Sequence, residues 1–218
     1  MNNQRGGKRR LKQPASNVTH QCWASSSTGV PCLNRTGRKD GIPYCPTHFQ
    51  RGDDIVEVVT HDTQPEIFGK LLIAKTKIPK GYKFVYWGNL VRRRQVRAAA
   101  FDHMVGFVPN QYSTQQRGLI DPTPHANSFL QFAAMPGPGE RVNLTSMHTH
   151  FGRCGVDSER TALAGRAYEV TCDIPKGVQI AHNYGAEWLE ERGIEKMDVG
   201  TKKFPMIRKK KRTKRESP

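Results

Sequence analysis

Three cysteines and a histidine near the start of the chain have the residue types of a metal site. They are Cys22, Cys32, Cys45 and His48. Tetrahedral zinc takes four sulfur or nitrogen ligands, and the spacing Cys45-Pro46-Thr47-His48 supplies one close pair. The chain around them is rich in Ser, Gly, Asn and Lys, and such a segment cannot build a hydrophobic core alone. A closed set of four ligands predicts a structural zinc rather than a catalytic one. The alternative is unpaired surface cysteines near a chance histidine, because Cys22 and Cys32 stand further apart than the usual pair.

The other cysteines and histidines give weaker signals. The chain has five cysteines, and an odd count without a secretory signal argues for reduced thiols or metal ligands rather than disulfides. His148 and His150 fall on one face of an extended segment. Scattered around them in sequence are His125, Cys154 and His182. No second close ligand pair accompanies them, so we interpret these histidines as ordinary surface or loop residues.

Short apolar runs broken by Gly and Pro indicate strands and tight turns from Ile67 onward. The tetrapeptide Ile-Pro-Lys-Gly occurs twice, at 78–81 and at 174–177. Pro at its second position and Gly at its fourth suit a β-turn. Each copy is flanked by two predicted strands, Leu71–Ala74 and Lys83–Trp87 at the first copy, Tyr168–Cys172 and Val178–Ala181 at the second. This region is therefore predicted to consist of strand–turn–strand units.

Two helices are predicted beside these units. Arginines and alanines over Val91–Met104 favour a helix. A last helix is predicted over Ala186–Lys196, with Trp188 and Leu189 on its apolar side. Residues 106–165 carry Pro, Gly and several polar clusters, and are predicted to be irregular.

Motifs at both ends of this region resemble those of SET-domain proteins. The run from Gly69 to Ala74, with the turn at 78–81, resembles the opening strand and turn of that domain, and Tyr86-Trp87-Gly88 is similar to its next Tyr-x-Gly. The run from Ile174 to Gly185 resembles the closing strand, which ends in Tyr-Gly. The resemblance spans residues 65–190. It implies a mainly β fold with some helix (α+β), a SET-like β-clip of small antiparallel sheets around a threaded C-terminal segment. A small zinc-stabilised module would precede it at 20–50. The alternative is an unrelated all-β domain with two Pro-Gly turns.

The resemblance implies a protein-lysine methyltransferase that uses S-adenosylmethionine. Such an enzyme must align its two reactants and favour a neutral lysine amine, which is positioning plus electrostatics. Tyr184 takes the place of the family's key tyrosine, and Tyr86 that of a tyrosine lining the lysine channel. Cofactor binding is implied for residues of the opening motif and for two asparagines: Gly69, Lys70, Leu71, Asn127 and Asn143. The implied substrate is a histone or another lysine-rich protein.

Departures from the family pattern keep other functions open. Leu71 stands where the opening motif has a second Gly, and Ala133 and Ala134 stand where an Asn-His pair holds the cofactor. No Cys-x-Cys cluster follows residue 185, so a wall of the site would come from Trp188 and the last helix. One alternative is a catalytically weak SET-like module that binds chromatin or nucleic acid. Another is a zinc-stabilised nucleic-acid-binding protein whose body only resembles the SET domain.

The net charge of +16 is concentrated at the two ends of the chain. Residues 1–19 hold five basic residues and no acid, and residues 201–218 hold nine basic residues and one acid. We predict basic tails at 1–19 and 197–218, disordered alone, that contact nucleic-acid phosphates and direct the protein to the nucleus. Solvated tails that only aid solubility are the alternative. No apolar run approaches the roughly 18 residues of a membrane helix, so no membrane association is expected.

Overall fold

The structure is a computed structural model of the 218-residue chain. It describes residues 20–38, 40–91, 105–107, 118–152, 163–185, 189–190, 193 and 195–210. The predicted tail at 1–19, nearly all of the predicted helix over Val91–Met104, Cys154 and Trp188 lie outside the described residues.

The described elements are mostly short strands. In chain order they are α1 (Pro46–Arg51), β1 (Val56–Thr60), α2 (Pro65–Phe68), β2 (Lys70–Ala74), β3 (Lys83–Val91), β4 (Val105–Phe107), β5 (Gly118–Asp121), a 3-10 helix (Phe129–Phe132), β6 (Leu144–Gly152) and β7 (Leu163–Val170). β1 and β2 form a two-stranded sheet, and the larger sheet has the order β4-β5-β3-β7-β6. All of these strand pairs are antiparallel. Small antiparallel sheets with few helices confirm the predicted mainly β, α+β class.

β3 lies in the middle of the larger sheet, and most of its side chains are buried because hydrophobic clusters pack on both of its faces. Successive side chains of a strand point to opposite faces. Phe84 and Tyr86 accordingly pack in the main core, while Val85 and Trp87 pack with the Cys/His module. The strand continues past its predicted end at Trp87, because its last three residues pair with β5. One strand thus supports two hydrophobic clusters.

The two Ile-Pro-Lys-Gly turns lie side by side. Ile78 and Ile174 exchange two backbone hydrogen bonds of 2.9 Å, and both side chains are fully buried. Gly81 and Gly177, which close the two tetrapeptides, have φ angles of 85° and 79°. Residues with a Cβ rarely adopt that conformation, so glycine is required there. The repeated tetrapeptide therefore joins the beginning and the end of the body.

The region 106–165, predicted to be irregular, contains strands of the larger sheet and a 3-10 helix. The prediction was wrong because these elements carry little hydrophobic pattern. β5 is only four residues long. β6 lies at the edge of the sheet, and most of its side chains are exposed or half-buried. Polar Thr, Ser and His residues fit such a strand, and no regular apolar alternation marks it.

Residues 195–210 pack against the body, although the sequence assigns most of them to a basic tail. Val199, Phe204 and Met206 are buried in one apolar cluster with Leu71 and Ile73 of β2. These apolar side chains interrupt the basic run, and their burial holds the segment on the body. The basic residues between them remain at the surface.

The predicted last helix over Ala186–Lys196 is described only in part. Leu189 and Glu190 are helical, whereas Glu195 and Lys196 are not. Gly193 lies between them with a φ of 59°, the left-handed conformation that commonly ends helices. Among the described residues, every helix is too short or too polar to cross a membrane.

The Cys/His module shares a hydrophobic cluster with the body. Trp23 packs edge-on against Phe151 of β6, with ring centroids 5.5 Å apart. Phe49 of α1 lies 4.3 Å from Trp87 of β3, centroid to centroid. The sequence divides residues 20–50 from a body that begins at 65, but these contacts cross that division. The module therefore covers the face of β3 that carries Val85 and Trp87.

Candidate functional site

The Cys/His cluster is formed by a hairpin and by α1. Backbone hydrogen bonds between the hairpin arms, each 2.9 Å long, bring Cys22 and Cys32 together. Cys45 immediately precedes α1, and His48 lies one turn into it. The four ligand atoms lie within 4.8 Å of one another. The hairpin thus brings Cys22 and Cys32 close in space, although they are widely spaced in sequence.

Neighbouring polar groups orient these ligands. The Nδ1 of His48 lies 3.6 Å from the sulfur of Cys22 and 3.3 Å from that of Cys45. Its Nε2 lies 3.8 Å from a carboxylate oxygen of Asp54. A carboxylate on the far nitrogen of a metal-binding histidine fixes its tautomer and ring orientation. Three sulfurs and one ring nitrogen in this arrangement fit a tetrahedral zinc.

The two more buried thiols of the cluster differ in acidity. Burial raises the pKa of Cys22 to about 12. Burial also acts to raise the pKa of Cys45, but hydrogen bonds from His48 outweigh it and lower that pKa to about 7. Cys45 therefore ionises before Cys22. Metal binding displaces the thiol protons and so depends on pH.

Asp53 joins the module to the body through a buried carboxylate. It accepts hydrogen bonds from the backbone N–H of Ser25 in the hairpin (3.1 Å) and from the hydroxyl of Tyr82 in the body (2.6 Å). Burial raises the pKa of Asp53 to about 6, against the lowering effect of these hydrogen bonds. The Tyr44 hydroxyl of the module also accepts a hydrogen bond from the Val85 backbone N–H (3.2 Å). Sequence reasoning missed this connection, because no motif marks Asp53.

A cavity of about 510 Å³ is lined by α2, the start of β2, residues 131–135, the closing motif, Leu189 and the C-terminal segment, which we define as residues 195–210. Four of the residues predicted to act in catalysis or cofactor binding line it: Gly69, Lys70, Leu71 and Tyr184. Its walls combine apolar side chains, such as those of Phe68, Phe132 and Met135, with exposed charged ones. The charged ones have both signs: Glu66, Lys70, Glu195 and Lys196. The cavity can therefore accept a ligand with both apolar and charged parts.

Tyr184 is fixed at the cavity by its hydroxyl, which donates to the carbonyl of Ala133. Burial raises the pKa of Tyr184, so the hydroxyl stays protonated at neutral pH. A hydroxyl oxygen that donates its own proton can still accept from another donor. The position is suited to orienting a polar group of a ligand.

A row of rings connects Tyr184 with Tyr86. The His182 ring lies 4.5 Å from Tyr184 and 5.3 Å from Tyr168, and Tyr168 lies 6.4 Å from Tyr86, between centroids. Tyr86 is only 2% exposed and is not among the described residues that line the cavity. The structure thus places Tyr86 in the main core behind the cavity. Its role in a lysine channel stays a prediction.

His182 lies outside the described strands and helices, as a loop histidine would, but it is not at the surface. It is 7% exposed, and burial lowers its pKa to about 4. The buried neighbours Ile180 and Ala181 in the closing motif are the signal that indicates burial at this position. No second group of three or more possible metal ligands occurs in the described parts of the chain.

The two predicted cofactor asparagines do not line the cavity. The side-chain amide of Asn127 donates to the carbonyl of Phe49 in α1. Asn143 is fully buried, and its side chain donates to the Gln179 carbonyl and accepts from the Ala181 N–H, both at 2.8 Å. These bonds commit both side chains to the backbone. Asn143 thereby holds the chain before β6 against the closing motif.

The departures from the family pattern all fall at the cavity. The Leu71 side chain is 2% exposed and belongs to the same apolar cluster as Val199. Ala133 and Ala134 line the cavity, and the Ala134 backbone pairs with the closing motif through hydrogen bonds at its N–H and its carbonyl. The wall predicted from Trp188 and the last helix is supplied, among described residues, by Leu189 and by residues 195–199.

Known proteins match this chain in structure but not in sequence. No protein-family model matches the chain, and no curated protein matches it in sequence. Among solved structures, the chain is similar to the methyltransferase domain of human PR domain-containing protein 2, with a TM-score of 0.42 and 22% sequence identity. That similarity covers 65% of this chain and 86% of the human domain.

Proposed function

We propose that the chain is a SET-like protein-lysine methyltransferase that uses S-adenosylmethionine. The observation that carries the proposal is the cavity, where the opening motif (Gly69, Lys70, Leu71) and the closing motif (Tyr184) meet although they lie far apart in sequence. The family resemblance assigns the cofactor and the reaction to these same two motifs. Ligand sites of drug-sized molecules have volumes of roughly 300–1,000 Å³, and this cavity falls within that range.

The lining suits S-adenosylmethionine. Phe68, Phe132 and Met135 offer apolar surface to a purine and to a methionine chain. Exposed acidic and basic side chains, including Glu66 and Lys70, offer partners for an ammonium group and a carboxylate. The cofactor supplies an electrophilic methyl group on a sulfonium. The task of this chain is then to hold the acceptor amine in line with it.

Tyr184 is the residue that we assign to orienting the acceptor amine. Its hydroxyl is held by donation to the Ala133 carbonyl, and burial keeps it protonated through a raised pKa. Its oxygen can accept an N–H of a lysine amine and so direct the lone pair of that amine toward the place that the methyl group would occupy. An ammonium has no lone pair, so the lysine would have to lose one proton to solvent before transfer. A histone or another lysine-rich protein is the proposed substrate.

The test is calorimetric titration with S-adenosylmethionine, followed by transfer of radiolabelled methyl groups to histones and to lysine-rich peptides. We expect binding and transfer. Tyr184→Phe should reduce the rate by about 10²–10³, the usual cost of one oriented contact in the transition state. Folding should survive, because the variant loses one hydrogen bond, worth roughly 1 kcal/mol.

The controls separate this site from contamination. Tyr44→Phe removes a buried hydroxyl that accepts a hydrogen bond from the Val85 N–H. Tyr44 is not among the described residues that line the cavity, so the variant should leave the rate within about threefold. Transfer that survives Tyr184→Phe would point to another enzyme in the preparation. No binding and no transfer by the native chain would reject the proposal.

A second candidate is a catalytically weak SET-like module that binds chromatin or nucleic acid. The observation that favours it is the pair Ala133 and Ala134, which offer only methyl groups and backbone to the cavity. The family has an Asn-His pair at this place, so fewer side-chain contacts to a cofactor are available. A related candidate is a zinc-stabilised nucleic-acid-binding protein. In both candidates the basic ends of the chain would bind the nucleic acid, and the same basic residues would direct the protein to the nucleus.

A further inference from the structure

The sequence Pro136-Gly137-Pro138-Gly139-Glu140 ends in a buried carboxylate that the proposed reaction does not use. Glu140 is 1% exposed. One carboxylate oxygen accepts the backbone N–H of Gly137 (2.8 Å) and of Val199 (3.0 Å), and the other accepts that of Gly200 (2.6 Å). A buried carboxylate is stabilised by such donors, and hydrogen bonds to a charged group are the stronger kind. Glu140 therefore ties the loop before β6 to the C-terminal segment.

A second set of contacts joins the same two segments. The Asp198 carboxylate accepts the Gly139 N–H (3.0 Å) and pairs with Arg208, and the Lys209 N–H donates to the Gly139 carbonyl (3.1 Å). The approach leaves no space for side chains. A Cβ on Gly137 would lie 2.3 Å from an oxygen of Asp198, and one on Gly200 would lie 2.8 Å from the backbone N of Met206 and 2.9 Å from a Glu140 oxygen. Glycine is thus required at both points by close contact.

These contacts determine the position of one wall of the cavity. Within residues 195–200, the backbone N–H groups of Val199 and Gly200 donate to Glu140. Lys196, Met197 and Val199 of the same segment line the cavity together with Gly69–Leu71. Val199 is further held by its carbonyl, which lies 3.1 Å from His61 Nε2. Glu140 is not among the described lining residues. It can affect a bound ligand only through the segment that it holds.

We propose that Glu140 is a positioning residue of the cavity, which holds residues 195–200 as the wall against which the ligand binds. The inference rests on the proposed function for the identity of that ligand. Glu140→Gln keeps the size and shape of the side chain but removes the charge. It also places an NH2 group opposite backbone N–H groups, so at least one of the three hydrogen bonds cannot form. The wall should then detach more often, and ligand affinity should fall without any change at the residues that contact the ligand.

The experiment compares the native chain with three full-length variants. Glu140→Gln and Gly200→Ala disturb the contact from its two sides, the second with no change of charge. Asp173→Asn is the matched control, because it also removes one negative charge that accepts a backbone N–H, that of Lys80 (3.0 Å), at a turn outside the cavity lining. Amide hydrogen exchange at residues 195–200 is measured without ligand, and S-adenosylmethionine affinity is measured by calorimetry.

In Glu140→Gln and in Gly200→Ala we expect faster amide exchange at Val199 and Gly200 and a roughly ten- to hundredfold weaker affinity for S-adenosylmethionine. Asp173→Asn should show neither change. In turnover, the KM for S-adenosylmethionine should rise while kcat stays within about threefold, a split that a general loss of folding would not produce. Faster exchange with native affinity would overturn the proposal, and so would unchanged exchange. If the native chain binds no S-adenosylmethionine, the proposed function has failed, and the exchange data still decide whether Glu140 holds the segment.

Discussion

His182 and Asp53 are buried ionisable side chains whose pKa values shift in opposite directions. Burial lowers the pKa of His182 from 6.5 to about 4 and raises that of Asp53 from 3.8 to about 6. For His182 the unfolded chain binds the proton first, so stability is lost as pH falls from about 6.5 to about 4. For Asp53 the folded chain keeps the proton longer, so stability is lost as pH rises from about 4 to about 6. Each effect is at most about 3 kcal/mol, and in the native chain they oppose each other.

We therefore expect two variants, each lacking one of these groups, to show the separate pH dependence of stability that largely cancels in the native chain. Relative to the native chain, His182→Gln should gain stability when pH is lowered from 6.5 to 4. Asp53→Asn should lose stability relative to the native chain over the same pH change, because the stability that protonation of Asp53 adds at low pH is absent. Denaturant unfolding at pH 4 and pH 6.5 measures both differences, and any cost of altered packing cancels between the two pH values. Equal pH differences in all three proteins would mean that neither group titrates as a buried one.

At the scale of elements, β3 connects the Cys/His hairpin with the main core. Val85 and Trp87 pack on the module, and Phe84 and Tyr86, on the other face of the strand, pack in the main core. The sequence alone, which separates a module at 20–50 from the body, would suggest that loss of zinc affects only that module. The packing on β3 instead predicts that loss of zinc also destabilises the body. Without the hairpin, Val85 and Trp87 lose their cover, at a cost of roughly 2–5 kcal/mol to the body.

We expect one zinc per chain in the native protein and none in Cys45→Ser. Thermal unfolding of Cys45→Ser should show a lower Tm for the whole described body, and amide exchange in β3 should accelerate. Cys172→Ser is the matched control, because Cys172 is a free cysteine outside the cluster. It should keep both the zinc and the Tm. Full zinc content in Cys45→Ser would show that the ligand set is different, and an unchanged β3 would show that the module folds separately.

For the molecule as a whole, the strongly basic C-terminal region falls into two parts. Residues 195–210 include the buried Val199, Phe204 and Met206 and belong to the folded body. Residues 211–218 lie outside the described structure and carry four basic residues and one acid. A truncation after Lys210 can therefore remove charge without removing the apolar side chains that anchor the segment.

We expect this truncation to weaken binding to duplex DNA and to flatten its salt dependence. Each phosphate that the protein no longer neutralises should reduce the slope of log affinity against log salt by about 0.9, so four such phosphates would reduce it by about 3 to 4. The Tm should stay unchanged, whereas a truncation before Val199 should lower it. Fluorescence anisotropy over a range of salt concentrations measures the slope. An unchanged slope would leave residues 211–218 as a solubilising tail.

The features that could be predicted from the sequence are those that depend on short stretches of chain. Turn chemistry located both Ile-Pro-Lys-Gly turns, since Pro and Gly restrict the backbone locally. Apolar runs located β2 and the start of β3, whereas the mainly β class was implied by the family resemblance of the two end motifs. The four residues of the Cys/His cluster could also be predicted, because Cys-x-x-His places one pair close together at the start of α1. Edge strands such as β6 were not readable, because an exposed strand needs no apolar alternation.

Contacts between segments that are distant in sequence could not be predicted and became known from the three-dimensional structure. Charge density assigned residues 197–210 to a tail, but three apolar side chains among the lysines find a partner surface in Leu71 and Ile73, and burial outweighs local composition. The buried carboxylates of Glu140 and Asp53 could not be predicted either, because no motif marks these residues. Each accepts a hydrogen bond from a backbone N–H that lies far away in sequence, that of Val199 or of Ser25. Their roles depend on long-range packing, which residue spacing does not encode.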